Sequence, residues 1–555
     1  MKTTLTYDKY FTQTDREKNI AVLKDKFADL ITVESICKTK EGKDVLALTI
    51  TADNKKASEK PAFYIDGNTH AGEVTGMMAA MHTADYLLTN YATDEKVKKL
   101  LDDNTFYIIP CVSPDGSDAY LTGPAILRSV NRDYIKDPEG LYQKDIDDDG
   151  VIRMMRVKTK YGAWKKDPDN DDLMVPRTME DREGDFYDVY TEGLIDGYDG
   201  VDVKVKRADW GLDFNRNYPF GWNCEPIQQG AGPYPLSNPE TKAVVDFVNS
   251  HPNICAVLTH HTSGGILLTP PGNESEAKAP KYDIEVYNQL GAICQKKMGY
   301  KKLNIFDSFL SDQEHYDSGA FDDWCYGSHG IYATTLELWN LEERAGVPMV
   351  YNKPENLFRQ AERTAACYKW VKENCPDKYA SWKKCEHPQL GAVETGGFDI
   401  KQTFQNPPVS FLVSELEKTT DFSIAYASML PKLVIESVDK EDLGNGFFKV
   451  SIIVGNTGYL PTYVSDRARF LKENKGIEIV IKGFDEIIEG KEKTVIEDLS
   501  SFSKTNTDNY FYGNISTFNS DPIHKKVTWI IKKSDSKPVE ITVSSRKAGV
   551  VNTSI

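Results

Sequence analysis

Three apolar runs far apart in the chain each end on a metal-ligating or acidic side chain, and this limits the folds open to the sequence. The run 62–65 breaks at Gly67 and delivers His70-Ala71-Gly72-Glu73 just ahead of a helix-like stretch. The run 254–259 leads into His260-His261, and the run 332–338 carries Glu337 near its end. A His and a Glu three residues apart can face one ion. Zinc takes imidazole nitrogen and carboxylate oxygen at about 2.0–2.2 Å, and catalytic sites use three such ligands with one position open. Alone, the His-x-x-Glu spacing fits equally well a capping Glu beside a turn His. It gains meaning only if the fold brings the three run ends together.

The pattern along residues 1–400 predicts such a fold. Strand-like runs at 44–50, 62–65, 105–110, 254–259 and 332–338 alternate with amphipathic helical stretches at 72–91, 239–249 and 354–374. This is the signature of an α/β domain with a mixed, mainly parallel sheet flanked by helices. Sites in such sheets form just beyond the carboxyl ends of strands, where His70, His261 and Glu337 fall. Between Gly116 and Asn215 lies a polar, Asp- and Gly-rich insertion, expected to form loops around a site entrance. After residue 405 the character changes. A helical stretch at 409–430 leads to short strands at 433–436, 447–454, 477–481, 527–531 and 539–543, which predict an all-β sandwich of immunoglobulin-like type. The expected division is a first domain at 1–405, a linker at 406–430 and a β domain at 431–555, with the Lys/Glu-rich 486–497 stretch a solvated turn.

Composition bounds the partners. Two domains are expected from 555 residues, and 40% hydrophobic content is enough for large cores. A formal net charge of −17 and no clustered basic stretch argue against nucleic acid and against an anionic membrane surface. No run reaches the ~18 apolar residues of a spanning helix, and the first residues lack an apolar signal core. Nine scattered cysteines without paired spacing fit reduced thiols. The chain therefore reads as cytoplasmic as written, or as secreted if a signal peptide had been removed.

Further motifs join the first. Gly211-Leu212-Asp213-Phe214-Asn215-Arg216-Asn217-Tyr218, then Leu258-Thr259-His260-His261-Thr262-Ser263, then Thr335-Leu336-Glu337-Leu338-Trp339 follow His70-Ala71-Gly72-Glu73 in order. In this order the chain resembles the zinc carboxypeptidase (carboxypeptidase A-like) family over about residues 1–400. The likeness is to a bacterial branch with a long insertion and an added C-terminal β domain. The resemblance implies hydrolysis of the C-terminal peptide bond of a peptide with a free C-terminus, by promoted-water attack at one Zn2+ per chain. It implies His70, Glu73 and His261 as ligands. His260 competes for the third place, but adjacent strand residues point to opposite faces and His261 directly precedes Thr262-Ser263.

By the same resemblance Glu337, 13 residues after Trp324, is the general base. Asp213 orients the first zinc His, and Asn215 with Arg216 grips the substrate's terminal carboxylate. Arg128 matches the arginine that polarises the scissile carbonyl, with Arg132, Arg153 and Arg156 as competitors. Tyr316 matches a tyrosine that closes over the substrate. Asp322 stands where members specific for basic residues carry an Asp, which would favour C-terminal Lys or Arg, against a purely structural role. Alternative readings are a carboxypeptidase acting on cell-wall peptides and a non-hydrolytic zinc-binding recognition protein. Separately, Asp145, Asp147 and Asp149 with Gly150 form the start of a Ca2+ loop, although its twelfth position is Arg156.

Overall fold

The computed structural model describes residues 1–129, 139–206, 212–310, 312–347, 357–472, 474–509, 515–519 and 521–555. Its centre is an eight-stranded sheet. The strands are β1 (Ile31–Lys38), β2 (Asp44–Ile50), β3 (Ala62–Gly67), β4 (Thr105–Ile109), β5 (Ile254–Thr262), β6 (Ile266–Thr269), β7 (Lys301–Asn304) and β8 (Tyr332–Leu338), in the order β1-β2-β4-β3-β5-β8-β6-β7. The four central strands β4, β3, β5 and β8 run parallel, as do β6 and β7, and the other pairs are antiparallel.

Period-two alternation divides the strand residues between two cores. Phe63, Ile65, Leu258 and Leu336 pack with helices α1 (Val74–Asn90), α3 (Lys281–Met298) and α5 (Val409–Ala427). Tyr64, Val257 and Ala333 pack on the other face with α2 (Pro239–Ser250) and α4 (Phe321–His329). The approach of α1 to the sheet depends on two glycines. A Cβ at Gly67 would lie 2.4 Å from the Gly76 carbonyl carbon, and one at Gly76 would lie 2.6 Å from the His260 carbonyl oxygen.

The structure corrects three expectations. The insertion is not a set of loops: Met154–Lys158, Trp164–Lys166, Met174–Pro176 and Phe186–Thr191 join Tyr379–His387 and Gly391–Phe398 in a six-stranded antiparallel sheet. The 406–430 segment is no linker. Leu412, Leu416 and Phe422 of α5 are fully buried in the first domain's core, since only packing on α1 and α3 removes that apolar stripe from water. The 486–497 stretch is solvated, but it holds two short edge strands, Glu486–Glu489 and Lys493–Ile496, that serve opposite sheets of the C-terminal domain.

That domain is built on two four-stranded antiparallel sheets, with a two-stranded hairpin of Thr505–Asn509 and Ile515–Asn519 beside them in sequence. They enclose Val450, Ile452, Ile479, Ile481, Trp529, Ile541 and Val543. It docks at the amino ends of the parallel strands. Lys547 Nζ donates to the Ile254 carbonyl at 2.5 Å, and buried Asp283 accepts the Asp466 and Arg467 amides at 2.8 and 2.9 Å. Among the described residues no helix is long and apolar enough to cross a membrane.

Because α5 is core, Leu416→Ala is expected to destabilise the first domain by about 2–5 kcal/mol, the usual cost of a large-to-small change in a packed interior. Urea unfolding followed by tryptophan fluorescence measures it. An unchanged midpoint would mean that α5 is dispensable.

Candidate active site

The carboxyl ends of β3, β5 and β8 bring the three runs together. Asn68, in the left-handed region at φ 57°, folds the turn after β3 by donating from Nδ2 to the His70 and Ala71 carbonyls at 2.8 and 3.1 Å. Glu73 occupies the cap position of α1, yet its side chain makes no capping bond, which excludes the simple capping reading. Its carboxylate instead lies 2.8 Å from His70 Nδ1 through Oε1 and 2.8 Å from His261 Nδ1 through Oε2. The two Nδ1 atoms are 3.1 Å apart, and all three residues are buried.

Three ligand atoms within 4.8 Å of one another, two imidazole nitrogens and a carboxylate, fit the ligand set of a catalytic zinc. His260 faces the other way, toward the core under α1. Its ring nitrogens make no hydrogen bond of good geometry among the described residues, and burial pushes its pKa down to about 3.

Asp213 ties the site together. Its Oδ1 accepts His70 Nε2 at 3.1 Å and the Asn215 amide at 2.9 Å, and Oδ2 accepts Arg128 Nε at 2.9 Å. Burial opposes its charge, but Arg128 and His70 hold it well below the usual carboxylate range. Arg128 is anchored through its backbone too, since its carbonyl accepts the Ala71 amide at 2.7 Å, and its Nη1 lies 3.9 Å from Glu73. Of its competitors, Arg153 pairs with Asp149, and Arg156 pairs with Glu394 at 2.7 Å and stacks over Trp382. Arg156 lies in the six-stranded accessory sheet and Arg153 just ahead of its strand Met154–Lys158, and Arg132 lies outside the described residues.

Glu337 is the register partner of His261 in the parallel β5–β8 pair, so both side chains leave the sheet on one face. Burial first, and the Glu73 charge second, push its carboxyl up to about 8. Asp322, on α4, is buried and accepts Thr335 Oγ1 at 2.7 Å and the Asp323 amide at 2.9 Å. Neither Asp322 nor Asp323 forms an ion pair among the described residues.

Asn215 Oδ1 accepts the Phe321 amide at 2.9 Å, leaving its NH2 group to donate, and Arg216 Nη2 pairs with Asp317 at 2.9 Å. Tyr316, beside Asp317, is half-buried against a cluster that includes Ile266, Leu268 and Ile305.

Sequence reasoning passed over three acids here: Asp317, Asp323 and Asp66. Burial pushes Asp323 up to about 8 with help from Asp322, and Asp66 up to about 6. Asp66, as the polar residue closing an otherwise apolar strand, was the one with a readable signal.

A profile described as zinc carboxypeptidase matches residues 17–365, and a domain of unknown function matches 432–555. The chain belongs to the zinc carboxypeptidase family. It is similar to carboxypeptidase A2 of Rattus norvegicus, 24% identical over 284 residues that cover 50% of this chain and 51% of that protein. It is also similar to carboxypeptidase B of Astacus astacus, 22% identical over 322 residues that cover 56% and 80%. Among solved structures, the carboxypeptidase A from Helicoverpa armigera aligns with 16% identity and a TM-score of 0.41, covering 67% of this chain and 76% of that one. The chain spans about half the length of the first curated relatives it matches.

Asp213→Ala is expected to weaken zinc binding about 10–100-fold, the usual cost of removing the partner that orients a ligating His. Competition with a chromophoric chelator reads this directly. Unchanged affinity would limit Asp213 to holding Arg128.

Proposed function

We propose that the chain is a zinc-dependent carboxypeptidase that removes C-terminal residues from peptides, with His70, Glu73 and His261 holding one zinc ion. One observation carries the reading: Glu337 stands one strand away from His261 and on the same face. An ion held by these three residues would supply Lewis acidity toward a water and toward the scissile carbonyl.

Glu337 takes a proton from the attacking water and returns it to the leaving amine. A carboxyl group raised toward neutrality by burial and a neighbouring charge is suited to both transfers. Arg128, anchored beside Glu73, stabilises the carbonyl oxygen as negative charge develops on it. Asn215 and Arg216 grip the terminal carboxylate, the Arg through its planar fork of donors. A bound peptide would displace Asp317 from Arg216, and Tyr316 alongside would close over the terminal residue.

Incubating the zinc-loaded chain with a peptide library, read by mass spectrometry, tests this. Single residues should be lost from free C-termini and none from amidated ones. Glu337→Gln should retain zinc and lower kcat about 10²–10⁴-fold. Equal cleavage of amidated peptides would contradict the carboxylate grip. Zinc binding without any turnover would favour a recognition protein.

Asp322 and Asp323, buried and without an ion pair among the described residues, support a preference for C-terminal Lys or Arg. Asp322→Asn should lower kcat/KM for Arg-ended peptides by about 2 kcal/mol or more, roughly 30-fold, and leave Leu-ended peptides little changed. A parent preference for Leu, or an Arg preference unchanged in the variant, would make Asp322 structural.

A further inference from the structure

The accessory sheet carries a second acidic cluster, in the loop that precedes Met154–Lys158. One carboxylate oxygen each from Asp145, Asp147 and Asp149 lies within 4.8 Å of the others. Most oxygens here have clear partners. Asp145 Oδ2 accepts the Gly150 amide at 2.8 Å, Asp149 Oδ1 accepts the Val151 amide at 3.0 Å, and Asp149 Oδ2 pairs with Arg153. Asp147 Oδ2 accepts Thr395 Oγ1 at 2.6 Å and pairs with Lys383 at 2.9 Å, both from the strands at 379–398.

Two oxygens stand apart. Asp145 Oδ1 and Asp147 Oδ1 are shut off from solvent and accept no hydrogen bond of good geometry among the described residues, and the Asp147 side chain as a whole is only 8% exposed. A buried carboxylate oxygen without a donor is costly unless a cation meets it. Asp147 is nonetheless a charged group: burial works against it, but Thr395 and Lys383 hold its pKa below the ordinary value.

The rest of the loop suits a hard cation. Asp148 (φ 56°) and Gly150 (φ 85°) take the left-handed conformations that wrap the backbone around its own carboxylates. Buried Glu192 accepts the Ile146 and Arg153 amides at 2.6 and 3.1 Å and so fixes both ends of the loop. Arg156, at the twelfth position, is committed to Glu394 and Trp382 and supplies no ligand.

We propose that this loop binds one calcium ion through Asp145, Asp147 and Asp149, with solvent completing an all-oxygen shell, and so fastens the insertion to the strands at 379–398. Calcium accepts such flexible oxygen sets, whereas magnesium demands near-ideal octahedral geometry. The site is independent of the catalytic reading. A variant such as Glu337→Gln would leave it intact.

Isothermal titration of the zinc-loaded chain with calcium chloride tests the proposal, together with thermal denaturation with and without the ion. One calcium per chain is expected, with Kd about 10⁻⁵–10⁻³ M in the absence of a bidentate twelfth-position Glu, and with magnesium chloride at least about tenfold weaker. Calcium should raise the melting temperature of the parent, because it binds the folded state. Asp145→Asn and Asp147→Asn should abolish both effects. Asp149→Asn, altering the more exposed carboxylate, should weaken binding about tenfold and serves if the other two do not fold. No binding by the parent at about 5 mM calcium, or parent-like affinity in the variants, would overturn the proposal.

Discussion

The candidate site depends on the parallel register of β3, β5 and β8. Neighbouring strands lie about 4.8 Å apart, and residues in register project to the same face. Once Ala256 pairs with Tyr332, His261 must stand beside Glu337 on the face that carries α2 and α4. Pairing of β3 with β5 brings the 68–73 turn to the same edge, and the Gly67–Gly76 contact lets α1 start close enough for Glu73 to reach both imidazoles. A one-residue slip of β5 would exchange His261 for His260 and bury the His261 imidazole in the opposite core.

Electrostatics are built on that frame. Glu73, Asp66, Asp322, Asp323 and Glu337 are all acids at or just beneath the strand ends, and burial pushes several of them toward the neutral form. Arg128 and His70 relieve Asp213 and Glu73, but no protein cation lies between the Glu73 carboxylate and the two Nδ1 atoms among the described residues. A divalent ion placed there would meet three donors and offset the charge that raises Glu337. The C-terminal domain, by contrast, docks at the amino ends of the strands and reaches none of these groups among the described residues.

The local signals were legible and the non-local ones were not. The runs that became β3, β5 and β8 declared themselves by apolar composition and by the polar residue that ended each. The same alternation separated His260 from His261. The insertion looked like loops because its strands are short and polar. Arg156 meets Glu394 across 238 residues of sequence, a pairing with no local signature. The helix at 409–427 was visible as a helix, but nothing in its own residues said that Leu412 and Leu416 fill the core between α1 and α3. Asp317 escaped notice because its ion pair with Arg216 arises only when the chain returns past residue 312.

The most direct test of this account is a crystal structure of the chain grown with zinc, with anomalous differences measured on both sides of the zinc absorption edge. The account predicts one strong peak about 2.0–2.2 Å from His70 Nδ1, His261 Nδ1 and a Glu73 oxygen. It also predicts Glu337 facing the open side of the ion. A peak coordinated by His260, or an ion whose open side is closed off from Glu337, would contradict it.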